Sequence, residues 1–167
     1  NGFPSPNNST LLDGLQSVYD RVVAPDGNVA YEALVQDPTL VAKLEAYARA
    51  MATLDLTSLD KPNKLALLGN AYNVCVLLGI VKAWPVSSVA TLKPDFGFFH
   101  EVSWEIGGKM RSLDSLEKEL LIPLDPRMHF AVNCASASCP QLDRQVLRPN
   151  TVDASLTRLT KRFLADT

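Results

Sequence analysis

The chain lacks the features that would place it among nucleic-acid-binding or membrane proteins. Its 16 lysines and arginines are outnumbered by 18 acidic residues, which gives a formal net charge of -2, and they are scattered along the sequence. Without a basic cluster that displaces counterions from phosphates, nucleic acid is not an expected partner. Asn70, Asn73 and Lys82 interrupt the longest apolar stretch. Because a spanning helix needs about 20 apolar residues, we expect no membrane span.

Cysteine and histidine are scarce, with three and two residues. Three cysteines are too few for a disulfide scaffold, and an odd number leaves at least one unpaired within the chain. A zinc site is disfavoured because there is no C-x-x-C pair and only His100 and His129 remain as further ligands. We therefore predict no metal and no cofactor. Compartment and oligomeric state stay open, with a lean towards a secreted or periplasmic location.

The length of 167 residues and the hydrophobic content of 47% favour one domain. We predict a polar leader at residues 1–8 and a single domain at 9–167. The spacing of apolar residues predicts five helices, with Ser9 or Thr10 capping the first. The third is apolar nearly all round, so we expect it to be central and buried. The predicted ranges are 10–23, 39–51, 62–83, 112–121 and 151–164.

Two segments favour extended structure. Val102, Trp104 and Ile106 alternate before Gly107-Gly108, which predicts a short hairpin. Residues 128–133 have the length and apolarity of a buried strand. The sum is a helix-rich α+β domain with a small antiparallel sheet.

Residues 125–140, D-P-R-M-H-F-A-V-N-C-A-S-A-S-C-P, contain the strongest candidate for chemistry. A cysteine thiolate is a nucleophile, and a nearby imidazolium lowers the thiol pKa and protonates the leaving group. The small residues that separate Cys134 from Cys139 let backbone amides approach an oxyanion. On the predicted strand, His129 shares a face with Ala131 and Asn133, so Cys134 begins a turn that can fold back towards the imidazole.

Spacing alone leaves three interpretations of these cysteines open. In an oxidising compartment Cys134 and Cys139 would form a local disulfide. They would otherwise supply half of a zinc site, or one of them would be a catalytic thiol.

With two upstream segments, N-A-Y-N at 70–73 and S-L-D-S-L-E at 112–117, residues 125–140 resemble the DUF547 family. The resemblance covers about residues 29–163. It implies a domain similar in outline to papain-like thiol hydrolases, with Glu, His and Cys as the active-site residue types. The positions that match are Asn70, Tyr72, Asn73, Glu117, Asp125, Arg127, His129, Cys134, Ser138 and Cys139.

Carried onto this sequence, the resemblance implies that Cys134 is the nucleophile, with Cys139 as its rival, and that His129 is the acid and base. Glu117 would orient the imidazole and stabilise its charged form. Glu119, nearby, lies outside the family pattern and is expected at the surface.

The other matching residues are expected to support the site. Asn70 and Asn73 share a face of a buried helix, where they either hold the loop that bears Cys134 or polarise a carbonyl; we favour the first role. Arg127 would bind a substrate carboxylate through a bidentate fork or pair internally with Asp125 or Glu117. Ser138 is assigned to substrate binding or site support.

Three further residues are given no catalytic role. Tyr72 is expected in the core, Cys75 is expected to be a small buried apolar residue, and His100 is assigned no function.

Two departures from the family pattern stand out. Leu67-Leu68-Gly69 replaces the usual aromatic and β-branched residues, and the glycine changes the packing close to the site. Relatives also continue beyond the R-F-L segment that ends at Leu164, so we expect the C-terminal end to be incomplete relative to the family.

The functional prediction is a cysteine-dependent hydrolase that acts on a peptide or a similar amide. The alternative is a non-catalytic domain that keeps the pocket to bind a ligand or partner. A redox or metal-linked domain is a third, weaker hypothesis. The expected partner is a peptide or a small amide-containing ligand.

Overall fold

The longest helix, α4 (Lys61–Ala83), forms the centre of the domain in a computed structural model, which describes residues 6–86, 93, 97–133 and 140–166. Asp60 caps its first turn by accepting a hydrogen bond from the Asn63 N–H, and every residue from Leu65 to Ile80 is buried. This confirms the prediction of a central helix. By length and composition α4 is also able to cross a membrane, but 89% of its most apolar window is buried inside the protein, as is typical of a core helix.

The remaining helices surround α4 on two sides. α1 (Pro6–Val22) and α3 (Pro38–Ala52) pack on one side, where the core includes Leu15, Val18, Leu44, Tyr47, Leu67 and Val74. The other side is covered by residues 98–132 and by α8 (Val152–Ala165), and its core includes Tyr72, Val76, Leu113, Leu116, Met128 and Leu156. The short helices α2 (Tyr31–Val35) and α5 (Gly97–His100) were not predicted.

A hairpin joins strands β1 (Ser103–Ile106) and β2 (Lys109–Ser112), which pair antiparallel. Gly107 and Gly108 have φ values of 64° and 78°, which a two-residue turn of this kind requires. Their N–H groups donate to the carbonyl oxygens of Met51 (2.9 Å) and Ala52 (2.7 Å) at the end of α3. These bonds satisfy carbonyls that the helix leaves without intrahelical partners, and they fix the hairpin against α3. The predicted hairpin and the helix-rich α+β class are confirmed.

The helix predicted after Ser112 is present but irregular. The Ser112 hydroxyl accepts from the Ser115 N–H at 3.1 Å, as a cap does. The chain then passes through α6 (Leu113–Ser115), a π-helical segment at Leu116–Leu121 and α7 (Ile122–Leu124) without a break. A π-helical segment widens the turn and is frequent at functional sites.

The strand predicted at 128–133 is wrong. Pro126–Phe130 forms a 3₁₀ helix, and the Asp125 side chain caps it by accepting from the Arg127 N–H. A proline at the first helical position and a carboxylate cap favour a helical start. An apolar run this short does not distinguish a strand from a buried helical turn. The alternation that placed His129 on one face with Ala131 and Asn133 therefore does not apply.

The first helix also begins earlier than predicted. α1 starts at Pro6, so Ser9 and Thr10 lie inside the helix and do not cap it. Residues 6–8, which fall in the predicted polar leader, accordingly belong to α1, while residues 1–5 lie outside the described part of the chain.

Candidate functional site

Glu117 and His129 are brought together although they are twelve positions apart in the chain. Oε1 of Glu117 lies 3.5 Å from Nδ1 of His129. This is within the range of an ion pair but longer than a typical N–H···O hydrogen bond. The Glu117 side chain is 16% exposed and the His129 side chain is 56% exposed. The imidazole therefore has one edge against a sheltered carboxylate while much of the ring remains accessible to solvent.

Buried neighbours fix the backbone that carries each of these two side chains. Leu116, which precedes Glu117, and Met128, which precedes His129, are both fully buried in the same core cluster. The ring of Phe130 lies 5.4 Å from that of His129 and 5.1 Å from that of Phe163 on α8. The 3₁₀ helix is thus held between α4 and α8, with the imidazole on its outer side.

Asn73 on α4 holds the chain immediately before Cys134. Its Nδ2 donates to the Ala131 carbonyl at 3.1 Å, and its Oδ1 accepts from the Asn133 N–H at 2.8 Å. Asn73 is 5% exposed, so both bonds are sheltered from water. One side chain therefore supplies hydrogen-bond partners to two backbone groups of this irregular segment.

Asn70 likewise holds the chain that follows the cysteine segment (residues 134–139). Its Nδ2 donates to the Leu147 carbonyl at 2.8 Å, and its Oδ1 accepts from the Leu147 N–H at 2.9 Å. Nδ2 of Asn133 donates to the Pro140 carbonyl at 2.6 Å, which links the two residues that flank the cysteine segment. Cys134, Ser138 and Cys139 lie outside the described residues, in a segment whose flanking residues are anchored in this way.

Arg127 is engaged by protein carboxylates. Its guanidinium donates to both oxygens of Asp125, at 3.1 and 2.7 Å, and to Oδ1 of Asp153 at 2.7 Å. It also donates to the Thr157 hydroxyl at 2.8 Å. The guanidinium holds the pKa of Asp125 below its usual value. Of the two roles predicted for Arg127, the structure displays internal pairing, and its partners are Asp125 and α8, not Glu117.

No pattern in the sequence indicated Asp153 and Thr157 as partners of Arg127. These residues lie 26 and 30 positions away on an otherwise ordinary amphipathic helix. Gly69 makes a second long-range contact that the sequence did not indicate. Met128 and Leu147 pack against its α-carbon. The glycine that departs from the family pattern therefore makes room for the residue next to His129.

Tyr72 and Cys75 are core residues. Burial raises the pKa of the Tyr72 phenol, and the nearby carboxylates of Glu117 and Asp114 raise it further. Burial also raises the pKa of the Cys75 thiol to about 12, so this thiol remains protonated at neutral pH. His100 is the last residue of α5 and is exposed. Glu119 accepts a hydrogen bond from the Ser115 hydroxyl at 2.8 Å and is exposed.

Within the described ranges, no three His, Cys, Asp or Glu side chains are placed so that they would hold a metal ion. Cys134 and Cys139 lie outside the described ranges, so this finding does not concern them.

Comparison with known proteins gives one match. The family model described as "Protein of unknown function, DUF547" matches residues 56–164. This range contains all three of the sequence segments that carry the resemblance. No curated protein and no solved structure matches the chain.

Proposed function

Since this chain belongs to the DUF547 family, whose function is unknown, we propose from its own residues that it is a cysteine-dependent hydrolase of a peptide or similar amide bond. The observation that carries this proposal is the 3.5 Å contact between Glu117 and the outward-facing His129. A carboxylate behind a solvent-accessible imidazole is the arrangement that orients a general base towards a nucleophile. The residue that Asn73 anchors, Asn133, directly precedes Cys134.

In the proposed reaction the Cys134 thiolate attacks the carbonyl carbon of the amide, and the carbonyl electron pair moves onto oxygen. As the C–N bond breaks, the His129 imidazolium gives its proton to the amine, which leaves a thioester. His129 then removes a proton from water, whose oxygen attacks the thioester and releases a carboxylic acid and the thiol. Glu117 favours the imidazole tautomer with a proton on Nδ1, so Nε2 is the nitrogen that exchanges protons with sulfur and substrate.

The anchored backbone supports the same proposal. A nucleophile must be held within reach of its base, and residues on both sides of the cysteine segment are hydrogen-bonded to α4. Cys139, which directly precedes the flanking residue Pro140 in the sequence, remains the rival nucleophile.

A thiol-labelling experiment tests the proposal. The protein is treated with iodoacetamide at pH 6, and the alkylated positions are mapped by mass spectrometry. At this pH an ordinary cysteine is almost wholly protonated, whereas a thiol paired with imidazolium reacts as the thiolate. We expect Cys134 or Cys139 to react at least about tenfold faster than N-acetylcysteine. Cys75 is an internal reference that stays unmodified while the protein is folded.

Matched variants test whether His129 and Glu117 cause the fast labelling. His129→Asn and Glu117→Gln are expected to slow the labelling, whereas His100→Asn and Glu119→Gln are expected to leave it unchanged. Equally slow labelling at both cysteines, or equal effects of the site variants and their controls, would contradict the proposal.

A binding domain without turnover is the second candidate. The observation that favours it is the length of the Glu117–His129 contact, which exceeds that of a hydrogen bond. A binding domain of this kind requires that Cys134 and Cys139 be unreactive. A Cys134–Cys139 disulfide in freshly purified protein, found by mass spectrometry without reductant, would favour this candidate because an oxidised sulfur cannot attack a carbonyl.

A further inference from the structure

A cavity of about 310 Å³ lies between α3, α4 and β1. Its volume is at the lower end of the range for small-molecule sites, roughly 300–1,000 Å³. Apolar side chains and one thiol supply most of the wall, namely Met51, Ala71, Cys75, Leu78, Trp104 and Ile106.

This cavity is separate from the Glu117–His129 site. Ala71, Cys75, Leu78 and Lys82 follow one another at intervals of four, three and four residues, so they form one stripe along α4. At about 100° per residue, Asn73 lies on roughly the opposite side of the helix from this stripe. The two sites therefore share α4 but face away from each other.

The polar groups of the cavity offer hydrogen-bond donors. Nε1 of Trp104 is buried and has no hydrogen-bond partner among the described residues. This donor is closed off from solvent, so Lys82 and Arg49 supply the donors that a ligand in the cavity can reach. The Lys82 ammonium lies 5.1 Å from the centre of the Trp104 ring. Arg49 stands exposed at the rim, and neither Arg49 nor Lys82 forms an ion pair within the described part of the chain.

Carboxylates contribute less to this space. Glu105 also lines the cavity, but it is exposed, and the alternation of side chains along β1 turns its carboxylate to the face opposite Trp104 and Ile106. Glu45 is exposed on α3, one turn before Arg49. The Cys75 thiol is uncharged at neutral pH. The interior is thus apolar. The rim carries two cations and two exposed carboxylates, and of the carboxylates Glu105 is turned to the other face of β1.

We propose that this cavity binds a small carboxylic acid with an aromatic or alkyl body. The apolar body would lie against Leu78 and Trp104, and the carboxylate would lie at the rim near Arg49 and Lys82. The cavity volume equals about ten water volumes of ~30 Å³ each, which fits a ligand of about ten non-hydrogen atoms. This site is independent of the proposed hydrolase.

Calorimetric titration with three probes of one shape tests the ligand class. 3-Phenylpropionate carries the carboxylate, 3-phenylpropanamide is its neutral counterpart, and 3-phenylpropylamine reverses the charge. We expect saturable binding of the acid at least about tenfold tighter than that of the amide, because charge-assisted hydrogen bonds are the stronger ones. Amine that binds as tightly as the acid, or acid that does not saturate up to its solubility limit, would overturn the proposal.

Variants test the location. Arg49→Gln is expected to weaken binding of the acid about tenfold while leaving binding of the amide unchanged, and Arg21→Gln, an exposed arginine on α1, serves as the matched control. Ala48→Leu adds volume to the cavity wall and is expected to abolish binding of both probes, with circular dichroism confirming that the variant folds. His129→Asn is expected to bind the acid as the unmodified chain does. If Arg49→Gln and Ala48→Leu both bind like the unmodified chain, the acid binds elsewhere and the proposed site is wrong.

Discussion

The side chain of Asn73 accepts a hydrogen bond from the Asn133 N–H at 2.8 Å, across 60 residues of sequence. The same amide donates to the Ala131 carbonyl, so one residue of α4 fixes two nearby positions of irregular backbone. Asn70 holds Leu147 through an equivalent pair of bonds. Together, the two asparagines attach to the core helix the chain that enters and the chain that leaves the cysteine segment.

The two asparagines should differ in their effect on the cysteines. Asn73→Ala and Asn70→Ala each remove two sheltered bonds to the backbone, and we expect either to lower the free energy of unfolding by about 2–4 kcal/mol in urea denaturation. Asn63→Ala, on the exposed first turn of α4, should change it by less than about 0.5 kcal/mol. In iodoacetamide labelling of the folded protein, Asn73→Ala should alter the rate at Cys134, and Asn70→Ala should not. Equal stability of the Asn73 and Asn63 variants would contradict the anchoring role.

Gly69 and Gly14 provide a matched pair of helical glycines. A Cβ at Gly69 would lie 2.6 Å from Cε of Met128 and 2.7 Å from Cδ1 of Leu147, whereas nothing lies within 4 Å of one at Gly14. We expect Gly69→Ala to destabilise the protein by about 1–3 kcal/mol through overpacking. Gly14→Ala should stabilise it by about 0.5–1 kcal/mol, the ordinary gain of alanine in a helix. Urea denaturation measures both changes in the free energy of unfolding. If Gly69→Ala stabilised the protein, Met128 would be able to move away from the added methyl group.

Arg127→Lys distinguishes a structural from a substrate-binding arginine. A lysine cannot reproduce the fork that joins Asp125, Asp153 and Thr157, so we expect a loss of about 1–3 kcal/mol in stability. The matched control is Arg148→Lys, which affects one exposed contact with Asp13 and should cost less than about 1 kcal/mol. If Arg127→Lys weakened binding of a substrate without any change in stability, the arginine would be a substrate ligand instead.

Asp125 should make the stability depend on acid pH. Its pKa is lowered in the folded protein, first by the hydrogen bond from Arg127, whereas an unfolded aspartate has a pKa of about 3.9. The contribution of Asp125 is therefore fully present above about pH 4 and is lost as the pH falls through the folded-state value. We expect the stability difference between the unmodified chain and Asp125→Asn to be largest near pH 6 and to shrink steadily towards pH 2. A difference that stays constant across this range would show that the carboxylate charge is not what stabilises the 3₁₀ helix.

The sequence alone determined those elements whose cause is local. The all-round apolarity of α4 required burial, paired glycines between alternating residues required a hairpin turn, and Ser112 could cap the helix that follows it. The three segments at 70–73, 112–117 and 125–140 were sufficient to identify the family, because the last of them is long and specific.

Tertiary structure decided between local structures that the sequence pattern allowed equally. Residues 128–133 satisfied the pattern of a buried strand, but the Asp125 cap and the attachment of Arg127 to α8 hold residues 126–130 as a 3₁₀ helix. The partners of Asn73, Arg127 and Gly69 lie between 26 and 78 residues away in the chain, apart from Asp125. Local propensity contains no information about such partners, because they are selected only when packed helices bring distant backbone groups within hydrogen-bond distance of a buried side chain. The same packing of α3, β1 and α4 forms the cavity beside Trp104, which no run of residues could have indicated.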